Sequence, residues 1–183
     1  MPVRERLDVT EGGLLACCAS HRWAAEVAAG RPYADLAELR AASAKALAAL
    51  DWADVEEALA AHPRIGDRLR SSRQPGSGAR LGSGDREAAW SRGEQSGMDA
   101  AAAELRTALV EGNRAYEDRF GHVFLICATG LSAAEMLTAL RERLRNGTGE
   151  ERAVVRTELA KIVDLRLAKL AAEPADRDAE GER

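Results

Sequence analysis

At 183 residues the chain has the length of one domain with a real core, and a hydrophobic fraction of 46% excludes a disordered polymer. Aromatic residues supply only 4%, so alanine and leucine must do the packing, which favours closely approaching helices over a sheet of β-branched and aromatic side chains. A formal net charge of −4 argues against nucleic acid as the partner, because phosphate binding needs a basic face.

Residues 1 to 10 are charged and are expected to be loosely ordered. Leu14, Leu15 and Cys18, then Trp23, Ala24 and Val27, predict two short helices broken near Ser20, the second ended by Gly30-Arg31-Pro32. Asp35 to Leu50 reads as a longer helix with Leu36, Leu39, Ser43, Leu47 and Leu50 along its inner stripe. Asp51 is placed to cap the next helix, which carries Trp52, Val55 and Leu59 and delivers His62 at its end.

There the helix must stop. Proline disfavours the α region for the residue before it, so Pro63 pushes His62 into an extended or turn conformation, and Gly66 lets the backbone turn or approach a ligand. An imidazole on such a junction is stiffly held, and its unperturbed pKa lies nearest to neutrality among side chains. A satisfied structural histidine and a catalytic one both fit this placement.

Residues 71 to 84, rich in Ser, Gly, Arg and Gln, read as a loop, either a plain surface loop or a lid. Helix resumes from about Asp85 to Gln95, and Ser96-Gly97 marks a junction before a long helix from about Asp99 to Arg119. Leu105, Leu109, Tyr116 and Phe120 share a face of that helix with Asn113, which must therefore be hydrogen-bonded, to a neighbouring backbone or to a ligand. Val123 to Ala128 looks locally like a buried strand, but no second strand exists to pair with it. An extended connector between helices follows, with backbone groups left to contact a bound molecule or simply to fill the core. Ser132-Ala133-Ala134-Glu135 is a capping-box pattern opening a helix to about Asn146, with Met136, Leu137, Leu140 and Leu144 inward. The last helix runs from Glu150 to about Ala172 with Val155, Leu159, Ile162, Val163 and Leu170 on one face. The charged tail, residues 174–183, is expected to be disordered, leaving a helical domain over residues 1–173.

Arg166 falls on the apolar stripe of the last helix, where a guanidinium must snorkel, pair or face a polar cavity. Glu94 and Gln95 end the Asp85–Gln95 segment, either as a solvated helix terminus or as part of a site. Cys17, Cys18 and Cys127 have no paired or zinc-ligating spacing and read as reduced thiols, so no metal is expected. No apolar signal core and no membrane-length apolar run is found, and the last residues, Gly-Glu-Arg, are not a peroxisomal tripeptide; a cytoplasmic protein with no membrane partner is expected.

Four blocks of sequence, in order, resemble the signature of 2-oxo-4-hydroxy-4-carboxy-5-ureidoimidazoline (OHCU) decarboxylase. They are His62-Pro63-Arg64-Ile65-Gly66; Ser91-Arg92-Gly93-Glu94-Gln95; Asn113-Arg114-Ala115-Tyr116-Glu117 with Phe120-Gly121, running on into Val123 to Ala128; and Lys161 to Leu167. The resemblance covers roughly residues 10 to 170. It implies an all-α single-domain bundle of about eight or nine helices with an extended connector near residues 121–130. It implies cofactor-independent decarboxylation of OHCU to (S)-allantoin in urate breakdown. His62 and Glu94 map onto the catalytic pair. Pro63, Ser91, Gln95 and Arg166 are implied to line the substrate site, and backbone groups of Val123, Phe124, Leu125, Ile126 and Cys127 to bind the ring and ureido groups. An imidazole beside the Glu94 carboxylate is expected to have a raised pKa. Family members are commonly homodimers. Two features depart from the pattern: His122 replaces an aromatic, apolar residue, and the 71–84 loop is longer and more polar. His21 and His122 are read as surface or packing histidines. The alternatives are a decarboxylase for a related ureido or hydantoin acid, and a non-catalytic helical module binding a purine-derived ligand or a partner helix.

Overall fold

A computed structural model describes residues 6–65 and 103–172 of the chain. Seven α-helices are present among the described residues: α1 Glu11–Cys17, α2 His21–Ala29, α3 Leu36–Ala49, α4 Trp52–Ala60, α5 Ala103–Phe120, α6 Ala133–Arg143 and α7 Thr148–Ala172. The Asp85–Gln95 helix, the 71–84 loop and the 174–183 tail expected from sequence lie outside the described residues.

Local chemistry sets most of the helix starts. Ser20, Asp35, Asp51 and Ser132 each turn a side-chain oxygen onto the third backbone N–H that follows, and the Asp51 and Ser132 caps are returned by Asp54 and Glu135. Residues 6–10 are better ordered than their charge suggests. Leu7 and Tyr33 exchange backbone hydrogen bonds of 2.8 and 2.9 Å, Val9 is buried, and Arg31 donates to the Val9 carbonyl. The reason is alternation: Leu7 and Val9 are apolar positions two apart in a charged stretch, and they dock one face of it.

The buried residues fall into two clusters. One gathers Leu14, Trp23, Leu39, Leu59 and the Val155–Leu167 face of α7; the other gathers Leu109, Tyr116, Met136 and Leu140 of α5 and α6 around Ile65. Residues 123–128 run between them with no regular secondary structure. Val123, Leu125 and Cys127 pack on the first cluster, while Phe124, Ile126 and Ala128 pack on the second. The strand-like period of two is thus used to bury both faces of an extended connector in helical layers rather than in a sheet. Gly121 and Gly130, with φ of 78° and 81°, bracket it, a backbone region that glycine enters at no steric cost. Where α5 crosses α6, Gly112 lets the helices approach closely; a Cβ there would meet Leu140 Cδ2 at 2.6 Å.

At 25 residues α7 is about 37 Å long and touches both α1 and α3. Its buried side carries Glu151, Val155, Glu158, Ile162 and Arg166, successive residues three or four apart. Three of those five are charged.

Candidate active site

The end of α4 places His62. Its N–H donates to the Leu59 carbonyl at 3.0 Å, closing the last turn, and the backbone then leaves the helix as Pro63 requires. The side chain is 8% exposed and Nδ1 lies 2.9 Å from the Ala58 carbonyl. A carbonyl only accepts, so this bond fixes the proton on Nδ1 and makes Nε2 the acceptor nitrogen of the neutral ring.

Arg166 is fully buried, which excludes the snorkelling alternative, and its Nη1 donates 3.1 Å to the Cys17 carbonyl. Cys17 is the last residue of α1, so the guanidinium satisfies one of the carbonyls that a helix leaves open at its C-terminus. The same charge reaches His62. Burial first, and the Arg166 charge second, push the imidazole down to about 4, against the opposing bond to Ala58. This corrects the expectation of a raised value. Glu94, the carboxylate on which that expectation rested, lies outside the described residues, whereas desolvation and a guanidinium both disfavour the imidazolium. His62 is neutral at pH 7.

The Arg166 charge thus acts on the His62 imidazole, although the two come from the front half and the far end of the chain. Pro63, the residue after His62, is exposed. A family model described as OHCU decarboxylase matches residues 9–168. The chain belongs to the OHCU decarboxylase family.

Relatives agree with that membership. The uric acid degradation bifunctional protein TTL of Arabidopsis thaliana is 31% identical over 170 residues, which are 92% of this chain and 49% of that protein, so the chain spans about half of that relative's length. The 2-oxo-4-hydroxy-4-carboxy-5-ureidoimidazoline decarboxylase of Amia calva is 34% identical over 157 residues, 83% of this chain and 81% of that protein. A crystal structure of OHCU decarboxylase in the presence of (S)-allantoin matches with a TM-score of 0.73 and 30% identity, covering 90% of this chain and all of the other. An (S)-allantoin synthase structure, at 18% identity and a TM-score of 0.59 over 87% of this chain and 49% of its own, shares the fold.

Of the residues expected in an OHCU decarboxylase site, Ser91, Glu94 and Gln95 lie outside the described residues. The connector is held by charged side chains that sequence reasoning passed over. Cys127 donates its N–H to Glu158 Oε2 at 2.8 Å, and the Leu125 carbonyl accepts Arg143 Nη1 at 2.7 Å. Those two backbone groups have protein partners, as the core-filling alternative for the connector requires of them. Arg143 also lies 4.6 Å above the Phe124 ring and grips Glu151 Oε1 through Nε at 2.9 Å and Nη2 at 2.6 Å. Tyr116 Oη donates to the same carboxylate, and Asn146 Nδ2 reaches its other oxygen at 2.8 Å. Burial works to raise the Glu151 carboxyl, but the hydrogen bonds from Arg143 and Tyr116, then the Arg143 charge, hold it below the usual carboxylate range. Burial and the bond to Glu151 push the Tyr116 phenol up. The signal was available: Glu151 and Glu158 sit four and three residues from Val155, on the stripe that singled out Arg166.

Asn113 is buried and its Nδ2 donates 2.6 Å to the Ile65 carbonyl, which is the backbone alternative of the two expected for it. His122 packs as an aromatic ring, with centroids 5.3 Å from Trp52 and 5.5 Å from Tyr116. His21 is exposed and pairs with Glu57 at 2.7 Å. All three cysteines are thiols. Among the described residues no three His, Cys, Asp or Glu side chains gather as a metal-holding group, and no helix is long and apolar enough to cross a membrane.

Proposed function

We propose that this chain decarboxylates 2-oxo-4-hydroxy-4-carboxy-5-ureidoimidazoline to (S)-allantoin in urate breakdown, as a carboxy-lyase that uses no metal or organic cofactor. The observation that carries the reading is the buried Arg166 guanidinium acting on a neutral, tautomer-fixed His62, within a chain of this family.

The substrate carries a carboxylate and a hydroxyl on one carbon, next to a C=N bond of the ring. When the bond to the carboxylate breaks and CO₂ leaves, its electron pair moves into the C=N bond and the ring nitrogen takes up a proton, so the substrate is its own electron sink. The hydroxyl gives up its proton and becomes a carbonyl, and a proton is added to one face of the neighbouring ring carbon. His62, neutral with Nε2 as its acceptor, takes the hydroxyl proton. A positioned acid or base of this kind is typically worth about 10²–10⁴ in rate. Glu94 completes the catalytic pair. Arg166 and Gln95 fix the ring and its oxygens, Pro63 and Ser91 line the site, and backbone groups of Val123 to Cys127 not engaged by Arg143 or Glu158 contact the ureido group. The domain over residues 1–173 carries this chemistry in a cytoplasmic homodimer that acts on a small molecule, and the 174–183 tail takes no part in it.

The test generates the unstable substrate from urate and follows its ultraviolet decay with and without protein, with circular dichroism of the product. Accelerated decay giving optically active (S)-allantoin is expected, and His62→Ala or Glu94→Ala should abolish the acceleration. Decay at the protein-free rate would leave a binding module in place of an enzyme.

A further inference from the structure

We propose that Asn113 and Glu117 of α5 are positioning residues for the reaction: they clamp the segment after His62 and so hold the imidazole in register. This rests on His62 acting as the base.

Asn113 and Glu117 lie one helical turn apart, on the side of α5 that meets residues 63–65. Asn113 Nδ2 donates to the Ile65 carbonyl at 2.6 Å. Glu117 accepts two bonds from the Arg64 guanidinium, Nε to Oε1 at 2.6 Å and Nη2 to Oε2 at 2.7 Å, a fork-to-fork pair that fixes orientation as well as distance. The pair is formed strongly enough for hydrogen bonds from Arg64 to hold the Glu117 carboxyl below its usual range, with burial opposing.

His62 is thereby anchored from two sides. Behind it, Ala58 and Leu59 fix the ring and the backbone N–H to α4; ahead of it, Arg64 and Ile65 are tied to α5. Between these anchors stands Pro63, whose φ is locked near −65°, so little torsional freedom separates the clamp from the imidazole. α4 packs in the first cluster and α5 in the second, and the clamp sets the distance between them at the histidine. The cost of loosening such a link falls on geometry, because a shift of about 1 Å in a reacting group costs up to about 10²-fold in rate.

The experiment is steady-state decarboxylation by the full chain with Glu117→Ala, Arg64→Ala, their double variant and the charge exchange Arg64→Glu with Glu117→Arg, alongside Asn113→Ala. Each single variant is expected to lower kcat about tenfold with KM within about twofold. The double variant should be no slower than the worse single, since both act through one contact, and the exchanged pair should recover most of the loss. Arg64 is half exposed, so its variants fold even where Asn113→Ala fails to. Additive losses, a rise in KM alone, or kcat within about twofold of the parent in Glu117→Ala would overturn the clamp. His62→Ala is run in parallel: an active His62→Ala removes the underlying reading, whereas an inactive one beside fully active Arg64 and Glu117 variants removes the clamp alone.

Discussion

The Arg166 guanidinium, held on the last carbonyl of α1, disfavours a proton on His62, and both side chains are buried. This arrangement favours the neutral imidazole that the proposed reaction needs as its base.

Replacing Arg166 with Met keeps most of the volume and deletes the charge. The His62 titration, followed by its ring proton resonances, should move upward from about 4 but stay below the free value of 6.5, because burial is the larger cause and remains. Decarboxylation should fall by about 10²-fold or more, as expected for a charge that stabilises the reacting state. An unchanged His62 titration would separate the two residues.

Stability should depend on pH through His62. Its folded pKa lies below the unfolded one, so between about 4 and 6.5 the unfolded chain binds the extra proton and stability rises with pH. The contribution is complete above 6.5 and is lost as pH falls through that window, amounting to about 3 kcal/mol at about 1.4 kcal/mol per unit. Urea denaturation at pH 7, 5.5 and 4.5 measures it. The acid loss should be visibly shallower in His62→Gln, and an identical slope would refute the assignment.

Glu151 is fully buried and depends on Arg143 for its charge. Arg143→Ala should cost about 3–5 kcal/mol, the usual result of stranding one partner of a buried pair. Tyr116→Phe removes one neutral donor from the same carboxylate and should cost about 1–3 kcal/mol. Chemical denaturation gives both values. Equal losses would mean that the Tyr116 hydroxyl holds the cluster as much as the Arg143 charge does.

Gly112→Val should destabilise by about 1–3 kcal/mol, since even the first carbon added meets Leu140 at 2.6 Å in a filled core. Thermal denaturation checks it, and Gly112→Val combined with Leu140→Ala should recover part of the loss.

The order of helices, the Asp51 and Ser132 caps and the stopping point of α4 were legible in the residues, because each depends on neighbours a few positions away: Asp51 and Ser132 act on the third N–H ahead, and Pro63 acts on the residue behind it. The extended character of residues 123–128 was legible too, from a short apolar run with no second strand to pair with it. The identity of the two packed faces was not, because it depends on helices joined to the connector only through space. The same holds for charge. Spacing alone flagged Arg166 as a guanidinium on an apolar face and left three fates open. Only tertiary packing decided that it caps α1 and depresses His62, and that Glu151 and Glu158 serve Arg143 and the connector. Helix periodicity reports which side of an element is buried; what a buried charge meets, and so which way its neighbour's proton equilibrium moves, is set by elements far away in the chain.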